Sequence, residues 1–511
     1  MILGKSLSET AKRYPDKVAI IYEGHSWSYR QLNSRVNKLA GVLSAMGLKK
    51  HDKVAILAKN GNEYLESYYA LAKLGIWLVG INYRLQIPEI ATRLTHSDAT
   101  AIILGPEFTE KFMELSPEGR KVFADRILVL GDHVSPGMHA YEDSLENSTE
   151  AEPQTFIEPE DPLYIGYTAG TTGLSKGAII SNRAIVSGFQ YKIMVNHFSQ
   201  DDITLNPGPF WHSAPRDVAS LHLYLGGTTV IMREFHAEEY LSLVEKYRVT
   251  NSFLIPTMFK MINELPGNER YDTSSLRLLI SGGAPLPILL KEAAIKRFGP
   301  IIHECYASTE TRVITSISPE EMAGKKRSVG RPIRDVEVRI LDEKGKNVSS
   351  GKVGEIFLRG PSLFSGYYKN DKKTQESYRN GWFTLGDMGR FDEEGYLYIV
   401  DRKQDMVISG GENIYPSEVE EVLRAHPKVA EVAVIGIPDE KWGEVLKAFV
   451  VLKRGETTNE EEILNFCKSR LADYLKPKSI EFVSELPRNP VGKILKRVLR
   501  EPYWKESEFK V

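Results

Sequence analysis

Cysteine is nearly missing from this chain: Cys305 and Cys467 are the only two in 511 residues. Two thiols so far apart build no disulfide framework and lack the spacing of metal ligands. Both read as small buried apolar residues. No apolar run approaches the roughly 20 residues that span a bilayer. The opening M-I-L-G-K-S-L-S-E-T has no apolar core of a secretory leader, so a cytoplasmic location is expected. Excess charge is absent as well: 66 Lys plus Arg against 68 Asp plus Glu leave −2. Such a balance gives nucleic acid or an anionic membrane no electrostatic footing. There is no internal repeat and no low-complexity tract. The remainder is 42% apolar and 26% charged, as in ordinary globular proteins, in a chain too long for one core.

Against that plain background, residues 167–177 stand out: Y-T-A-G-T-T-G-L-S-K-G. Gly170, Gly173 and Gly177 let the main chain approach a ligand closely. Thr168, Thr171, Thr172 and Ser175 offer neutral hydrogen bonds, and Lys176 brings a compact positive charge. This is a composition for handling phosphate. Apolar runs at 163–165 and 178–180 flank it, which predicts a turn between two strands. It is not a Walker A loop, because Ser175 stands where that spacing demands glycine and Gly177 where it demands serine or threonine.

The first part of the chain alternates strand and helix patterns. Residues 18–22 and 54–58 read as strands. Between them Leu32, Val36, Leu39, Ala40 and Leu43 recur at helical spacing, Ser28 and Gln31 are placed as a capping box, and Gly47 stops the helix. A second helix at 63–74 leads to an apolar run at 76–81. Further strands are expected at 228–232, 251–255 and 276–281. This alternation predicts parallel strands covered by helices. From residue 336 the pattern shifts to hairpins, with a strand at 354–359. D-R-K-Q-D at 401–405 is a charged break. Beyond it, Pro416 opens a helix and Pro427 follows its end. Strands at 431–437, 447–452 and 480–483 and a helix at 460–471 complete the pattern. The expected fold is α/β: a large N-terminal domain (1–400) of βα layered sheets with a β-rich subdomain, a hinge at 401–405, and a small α+β C-terminal lid domain (406–511).

Six segments in one order carry a resemblance. They are the phosphate loop, S-G-G-A-P at 281–285, Y-A-S-T-E at 306–310, T-L-G-D at 384–387, D-R-K-Q-D-M-V-I-S-G-G-E-N-I-Y-P-S-E-V-E from Asp401, and P-R-N-P-V-G-K-I-L-K-R from Pro487. Together they resemble the adenylate-forming enzymes, the group of acyl-CoA synthetases, peptide-synthetase adenylation domains and firefly luciferase. The acyl-CoA synthetase branch is the nearest in pattern. That resemblance implies an ATP-dependent ligase: a carboxylic acid and ATP give acyl-AMP and pyrophosphate, then the CoA thiol takes the acyl group. It implies that Thr168, Gly170, Thr171, Thr172, Gly173 and Lys176 cradle phosphates and that Glu310 holds Mg²⁺. Tyr306 would stack on adenine, with Gly283, Ala284 and Pro285 on the other side and Ser308 and Thr309 beside it. Asp387, helped by Arg402, would accept the ribose hydroxyls. Lys493 would bridge carboxylate and α-phosphate. Taken singly, each of these residue types is more often structural; the ordered set gives them roles.

For the second step the resemblance implies a lid that swings at Gln404. Gly410 and Gly411 would then leave room for pantetheine, while Trp442, Tyr474, Lys476 and Lys478 would take the nucleotide end of CoA. His212, in P-F-W-H, falls at a gating position between the acid pocket and the CoA tunnel. There are departures: Ala169 replaces a common serine, Ser175 a common proline, and Gln404 stands where aspartate or lysine is usual. A neutral hinge residue implies differently balanced half-reactions. Trp211–His212 follow Phe210, where peptide-synthetase domains place an aspartate. An acyl-AMP ligase loading a carrier protein and a non-catalytic nucleotide sensor are the other readings, the latter opposed by intact Lys493 and Glu310. Residues 184–191, 210–218 and 312–314 are expected to line the acid pocket. Their apolar members suit a fatty, aromatic or alicyclic acid, whereas Arg216 or Arg312 would suit a second carboxylate.

Overall fold

The computed structural model describes residues 2–131, 134–168, 176–488 and 494–504. The chain divides into two compact units, Met1–Val336 with Arg359–Glu376, and Glu337–Leu358 with Ser377–Val511. The hairpin region from Glu337 thus groups with the C-terminal mixed region, and residues 401–405 lie within the second unit. The expected boundaries, 1–400 and 406–511 about a hinge at 401–405, are drawn elsewhere than this compact division.

Two sheets make up most of the first unit. In one, seven strands run in the order His139–Ala140, Ile127–Val129, Ala101–Leu104, Lys53–Leu57, Trp77–Gly80, Pro162–Thr168, Lys176–Ser181. All neighbours are parallel except the last pair. The predicted strand-to-strand arrangement about residues 169–175 is therefore found on both of its flanks. In the other sheet, nine strands run from Arg331–Pro332 through Arg312–Ile317, Ile302–Ser308, Leu278–Ser281, Asn251–Leu254, Ile203–Asn206, Thr228–Ile231 and Val18–Tyr22 to His25–Ser28. Its interior is parallel. Fully buried runs such as Val54, Ala55, Ile56 and Leu57 explain why these strands read as continuous apolar stretches.

Helices cover the sheets as the 3.6-residue spacing predicts. In Tyr29–Ala45 the buried face holds Leu32, Val36, Leu39, Ala40 and Leu43. Its start is a complete capping box: Gln31 N–H donates to Ser28 Oγ at 3.2 Å, and Ser28 N–H donates to Gln31 Oε1 at 2.8 Å. The helix ends at Ala45, two residues before Gly47, whose φ of +78° suits glycine. Helix Asn62–Leu74 is buried nearly all round. The helix Leu3–Arg13, which carries no capping side chain, escaped the sequence reading.

In the second unit, Gly354–Arg359, Asp387–Phe391 and Leu397–Arg402 form an antiparallel sheet with the short strands Tyr378–Arg379 and Trp382–Phe383, and Glu337–Leu341 pairs with Gly354–Arg359. A separate sheet holds Glu412–Ile414, Val407–Ser409, Gly443–Leu452, Val429–Asp439 and Ser479–Phe482. Helices Pro416–Arg424 and Glu460–Lys468 contribute Val419, Leu423, Ile463 and Cys467 to its core. Cys467 is fully buried as expected, while Cys305 is half-buried in Ile302–Ser308. No helix among the described residues is long and apolar enough to cross a membrane.

Replacing Ser28 by Ala removes one half of the capping box, and is expected to cost about 1 kcal/mol. A lowered unfolding midpoint in a thermal melt checks this; an unchanged one contradicts it.

Candidate active site

Parallel sheets present ligands to the carboxyl ends of their strands. In the first unit those ends carry the expected segments. Ile203–Asn206 runs into P-G-P-F-W-H, Leu278–Ser281 into the exposed Gly283, Ala284 and Pro285, and Ile302–Ser308 contains Tyr306 and Ser308. Gly283 has φ +84°, so glycine is required by that turn itself. The pairing of Ile302–Ser308 with Arg312–Ile317 shifts register between Tyr306 and Ala307. A bulge there re-aims the side chains that follow it. Ser308 Oγ accepts from the N–H of Glu310 at 3.1 Å and of Thr311 at 3.2 Å, which fixes the turn bearing Thr309 and Glu310.

Glu310 is the central finding. Its side chain is buried, and Oε1 accepts the hydroxyl of Tyr367 at 3.0 Å. No basic side chain among the described residues forms a salt bridge with it. Lys176 Nζ lies 5.5 Å from the centre of the same Tyr367 ring. Tyr367 reaches this place because residues 365–368 run along the edge strand Lys176–Ser181. Ile179 N–H donates to Gly366 O at 2.9 Å, Ser365 N–H to Ile179 O at 2.8 Å, and Tyr368 N–H to Gly177 O at 2.7 Å. A buried carboxylate is normally paired with a cation or a metal. Among the described residues no three acidic, His or Cys groups converge as a metal cage. Mg²⁺ characteristically takes one or two carboxylates and completes its shell with phosphate oxygens and water. The residues present therefore fit that ion.

Two motifs also meet directly. A Cβ on Gly166, in the strand entering the phosphate loop, would lie 2.6 Å from Thr309 Cγ2. Glycine there lets Pro162–Thr168 lie against the Tyr306–Glu310 turn. Thr168 Oγ1 is 3.5 Å from Lys176 O across the base of the loop. Gly170, Thr171, Thr172 and Gly173, with the departures Ala169 and Ser175, lie outside the described residues, as does Lys493.

His212 caps the helix Ser213–Leu225, with Nδ1 accepting from Ala214 N–H at 3.3 Å. That bond requires Nδ1 unprotonated. Burial, then the nearby Arg216 charge, hold its pKa down at about 4. Asn60 secures the preceding loop, donating to Gly208 O at 2.8 Å and accepting from Phe210 N–H at 2.7 Å.

Within the second unit, Asp387 and Arg402 face each other across an antiparallel pair. Arg402 Nε is 2.5 Å from Asp387 Oδ1, and Asp387 is buried. Gln404, the expected hinge residue, is exposed in the turn Lys403–Asp405, and its main-chain oxygen accepts from Arg500 Nη1 at 2.7 Å. Lys496, the second lysine of K-I-L-K-R after Lys493, is tied to buried Glu420 at 2.8 Å. Gly410 and Gly411 form the two-residue loop of the hairpin Val407–Ser409 and Glu412–Ile414, with φ of +59° and +86°. Positive φ at both positions is the type I′ requirement. A Cβ on Gly410 would also lie 2.8 Å from Trp442 Cε3, whereas one on Gly411 would meet nothing within 4 Å. Trp442 is 43% exposed and Tyr474 54%. Lys476 is paired with Asp473 at 2.5 Å, and Lys478 N–H donates to Leu446 O at 2.8 Å. Tyr367 and Asn60 were missed from sequence: each acts through a partner far along the chain.

These sites sit on a chain that belongs to the AMP-binding enzyme family, the adenylate-forming CoA ligases. It matches the AMP-binding enzyme family over residues 7–368 and the AMP-binding enzyme C-terminal domain over residues 418–493. It is 35% identical over 504 residues to the indoleacetate–CoA ligase of Aromatoleum aromaticum, covering 98% of each chain. ATP-bound MatB from Rhodopseudomonas palustris is similar at TM-score 0.89 and 31% identity, over 98% of this chain and 99% of that one. The o-succinylbenzoate CoA synthetase MenE of Bacillus subtilis, in complex with its acyl-adenylate intermediate, is similar at TM-score 0.85 and 28% identity, over 97% of both.

Tyr367→Phe deletes the donor to a buried carboxylate, and kcat/KM for ATP is expected to fall about 10-fold or more at limiting Mg²⁺. Steady-state kinetics across Mg²⁺ concentrations check this; an unchanged value contradicts it. His212 gives a pH prediction. As pH falls below the ordinary value of 6.5, the unfolded chain takes up a proton that the folded chain refuses until about 4. Its contribution to stability is present above 6.5 and lost on acidification through that window. The wild-type melting temperature should fall more steeply from pH 6.5 to 4 than that of His212→Gln; parallel curves contradict it.

Proposed function

We propose that the chain joins a carboxylic acid to CoA in two steps within one catalytic cycle. A carboxylate is a poor acyl donor because its charge repels nucleophiles and oxide does not leave. In the first step a carboxylate oxygen attacks the α-phosphorus of ATP, a P–O bond forms, and pyrophosphate departs. In the second, the CoA sulfur attacks the acyl carbon, and AMP leaves with the bridging oxygen. The observation that carries this reading is the buried Glu310 carboxylate held by Tyr367, with Lys176 over the same ring.

The protein's task is to hold anions together and offset charge as it develops. Glu310 would hold Mg²⁺, which when bound neutralises phosphate charge and orients the pyrophosphate leaving group. Thr168, Lys176 and the loop 169–175 would take the β- and γ-phosphates. Tyr306 and 283–285 would hold the purine, and Ser308 and Thr309 the polar edge beside it. Asp387, oriented by Arg402, would accept the ribose hydroxyls. Lys493 would place its ammonium on the carboxylate and α-phosphate. The engagement of Lys496 with Glu420 supports giving that role to Lys493.

CoA as acceptor is supported by the hairpin at 410–411, whose close packing on Trp442 leaves a partly exposed indole. An exposed aromatic with lysines nearby suits the nucleotide end of CoA. Tyr474, Lys476 and Lys478 would share that contact. His212, uncharged in its capped state, would separate acid and thiol rather than act as a cation. The cytoplasm, which supplies ATP and CoA, is the compartment this reading assigns.

Lys493→Ala is expected to lower acid-dependent ATP–pyrophosphate exchange by about 100-fold or more, while thioester formation from supplied acyl-AMP changes by less than about 5-fold. Separate assays of the two half-reactions test it. Equal losses in both would overturn the assigned role.

A further inference from the structure

The helix that His212 caps carries a second charged feature. Arg216 is 1% exposed, and its guanidinium carbon lies 4.1 Å from the ring centre of Tyr164 and 4.7 Å from that of Tyr68. Nη1 donates to Phe210 O at 3.3 Å. Nε and Nη2 have no hydrogen-bond partner among the described residues.

Those two nitrogens form one edge of the guanidinium, the fork that matches a carboxylate bidentately. Elsewhere this chain uses that edge in that way. Arg35 donates from Nε and Nη2 to the two oxygens of Glu66 at 2.7 and 3.1 Å. Arg277 does the same to Asp202 at 2.9 and 2.6 Å. Arg216 is more deeply buried than either, and its corresponding edge carries no carboxylate; the hydroxyl of Tyr64 is its polar neighbour.

The adjacent carboxylate is engaged through one oxygen, and its Oδ1 has no hydrogen-bond partner among the described residues. Oδ2 of Asp217, which is 2% exposed, accepts from Arg312 Nη1 at 2.5 Å. Arg312 is itself buried, donates to Tyr164 Oη at 2.7 Å and to the carbonyl of Thr309, and has φ +60°, a conformation that disfavours side chains. Backbone strain of this kind persists where surrounding contacts enforce it. Of two buried guanidiniums, only that of Arg312 is paired with this carboxylate, which acts on Arg216 at longer range. Aromatic faces soften the remaining charge but do not satisfy its N–H groups. Through Phe210 O and Thr309 O the cluster is bonded to the segments that bear His212 and Glu310.

We propose that the Nε and Nη2 edge of Arg216 binds the second carboxylate of a dicarboxylic acid substrate, making Arg216 a specificity-determining residue. This rests on the acid-ligase reading above, and it replaces a purely apolar acid with one charged at both ends.

The test compares matched pairs of mono- and dicarboxylic acids, aliphatic from two to ten carbons and aromatic, by pyrophosphate release with ATP, Mg²⁺ and CoA. In wild type the best dicarboxylate should exceed its monocarboxylate partner in kcat/KM by about 100-fold or more. Arg216→Met should collapse that ratio, and Arg216→Lys, which keeps the charge but loses the fork, should lower it about 10-fold or more. Equal or better use of monocarboxylates by wild type overturns the proposal. So does an unchanged ratio in folded Arg216→Met, which would make Arg216 structural only. If that variant does not fold, the ratio in Arg216→Lys decides: a fall supports the proposal and an unchanged ratio overturns it. Absence of release with every acid of both series would instead overturn the ligase reading.

Discussion

The hydroxyl of Tyr367 on the carboxylate of Glu310 is the contact around which the first unit's site is organised. It joins chain segments that are remote in sequence: the turn after Ile302–Ser308, the edge strand Lys176–Ser181, and residues 365–368 laid along that edge. An isolated carboxylate taken out of water costs several kcal/mol, so a single neutral donor leaves Glu310 poised for a cation. Lys176 Nζ lies 5.5 Å from the centre of the same Tyr367 ring.

The second unit follows a different logic, in which charges are already engaged. Asp401 Oδ2 accepts from Ser417 N–H at 2.9 Å, at the first turn of Pro416–Arg424, and Arg402 holds Asp387. Arg500 reaches the main chain of Gln404, and Lys496 is bound to Glu420. Residues 401–405 are therefore fixed by backbone-directed contacts that do not depend on the Gln404 side chain. Gly410 and Gly411 are demanded by the hairpin turn itself, so their presence is explained by local geometry and by the Trp442 ring together.

Local features were legible in the sequence because local physics produces them. The capping box at Ser28, the helix opening at Pro416, the strand Gly354–Arg359 and the strands flanking 169–175 all depend on residues within a few positions of each other. Motif order marked Glu310, Asp387 and Arg402 as candidates in the same way. Tyr367 was not legible, since its role comes from an edge-strand pairing about 190 residues away from Lys176 in the chain. Arg216, Asp217 and Arg312 were visible as charged residues, yet which of them was paired required the fold. The order of the nine-stranded sheet likewise arises from non-local pairing that no short window contains.

The most direct measurement of the central claim follows oxygen. An acid substrate carrying ¹⁸O in both oxygens of the reacting carboxylate is turned over with ATP and CoA, and the products are resolved by mass. Attack of that carboxylate on the α-phosphorus predicts AMP bearing one ¹⁸O and pyrophosphate bearing none. Appearance of ADP with label in inorganic phosphate, or of unlabelled AMP alongside the thioester, would contradict the account.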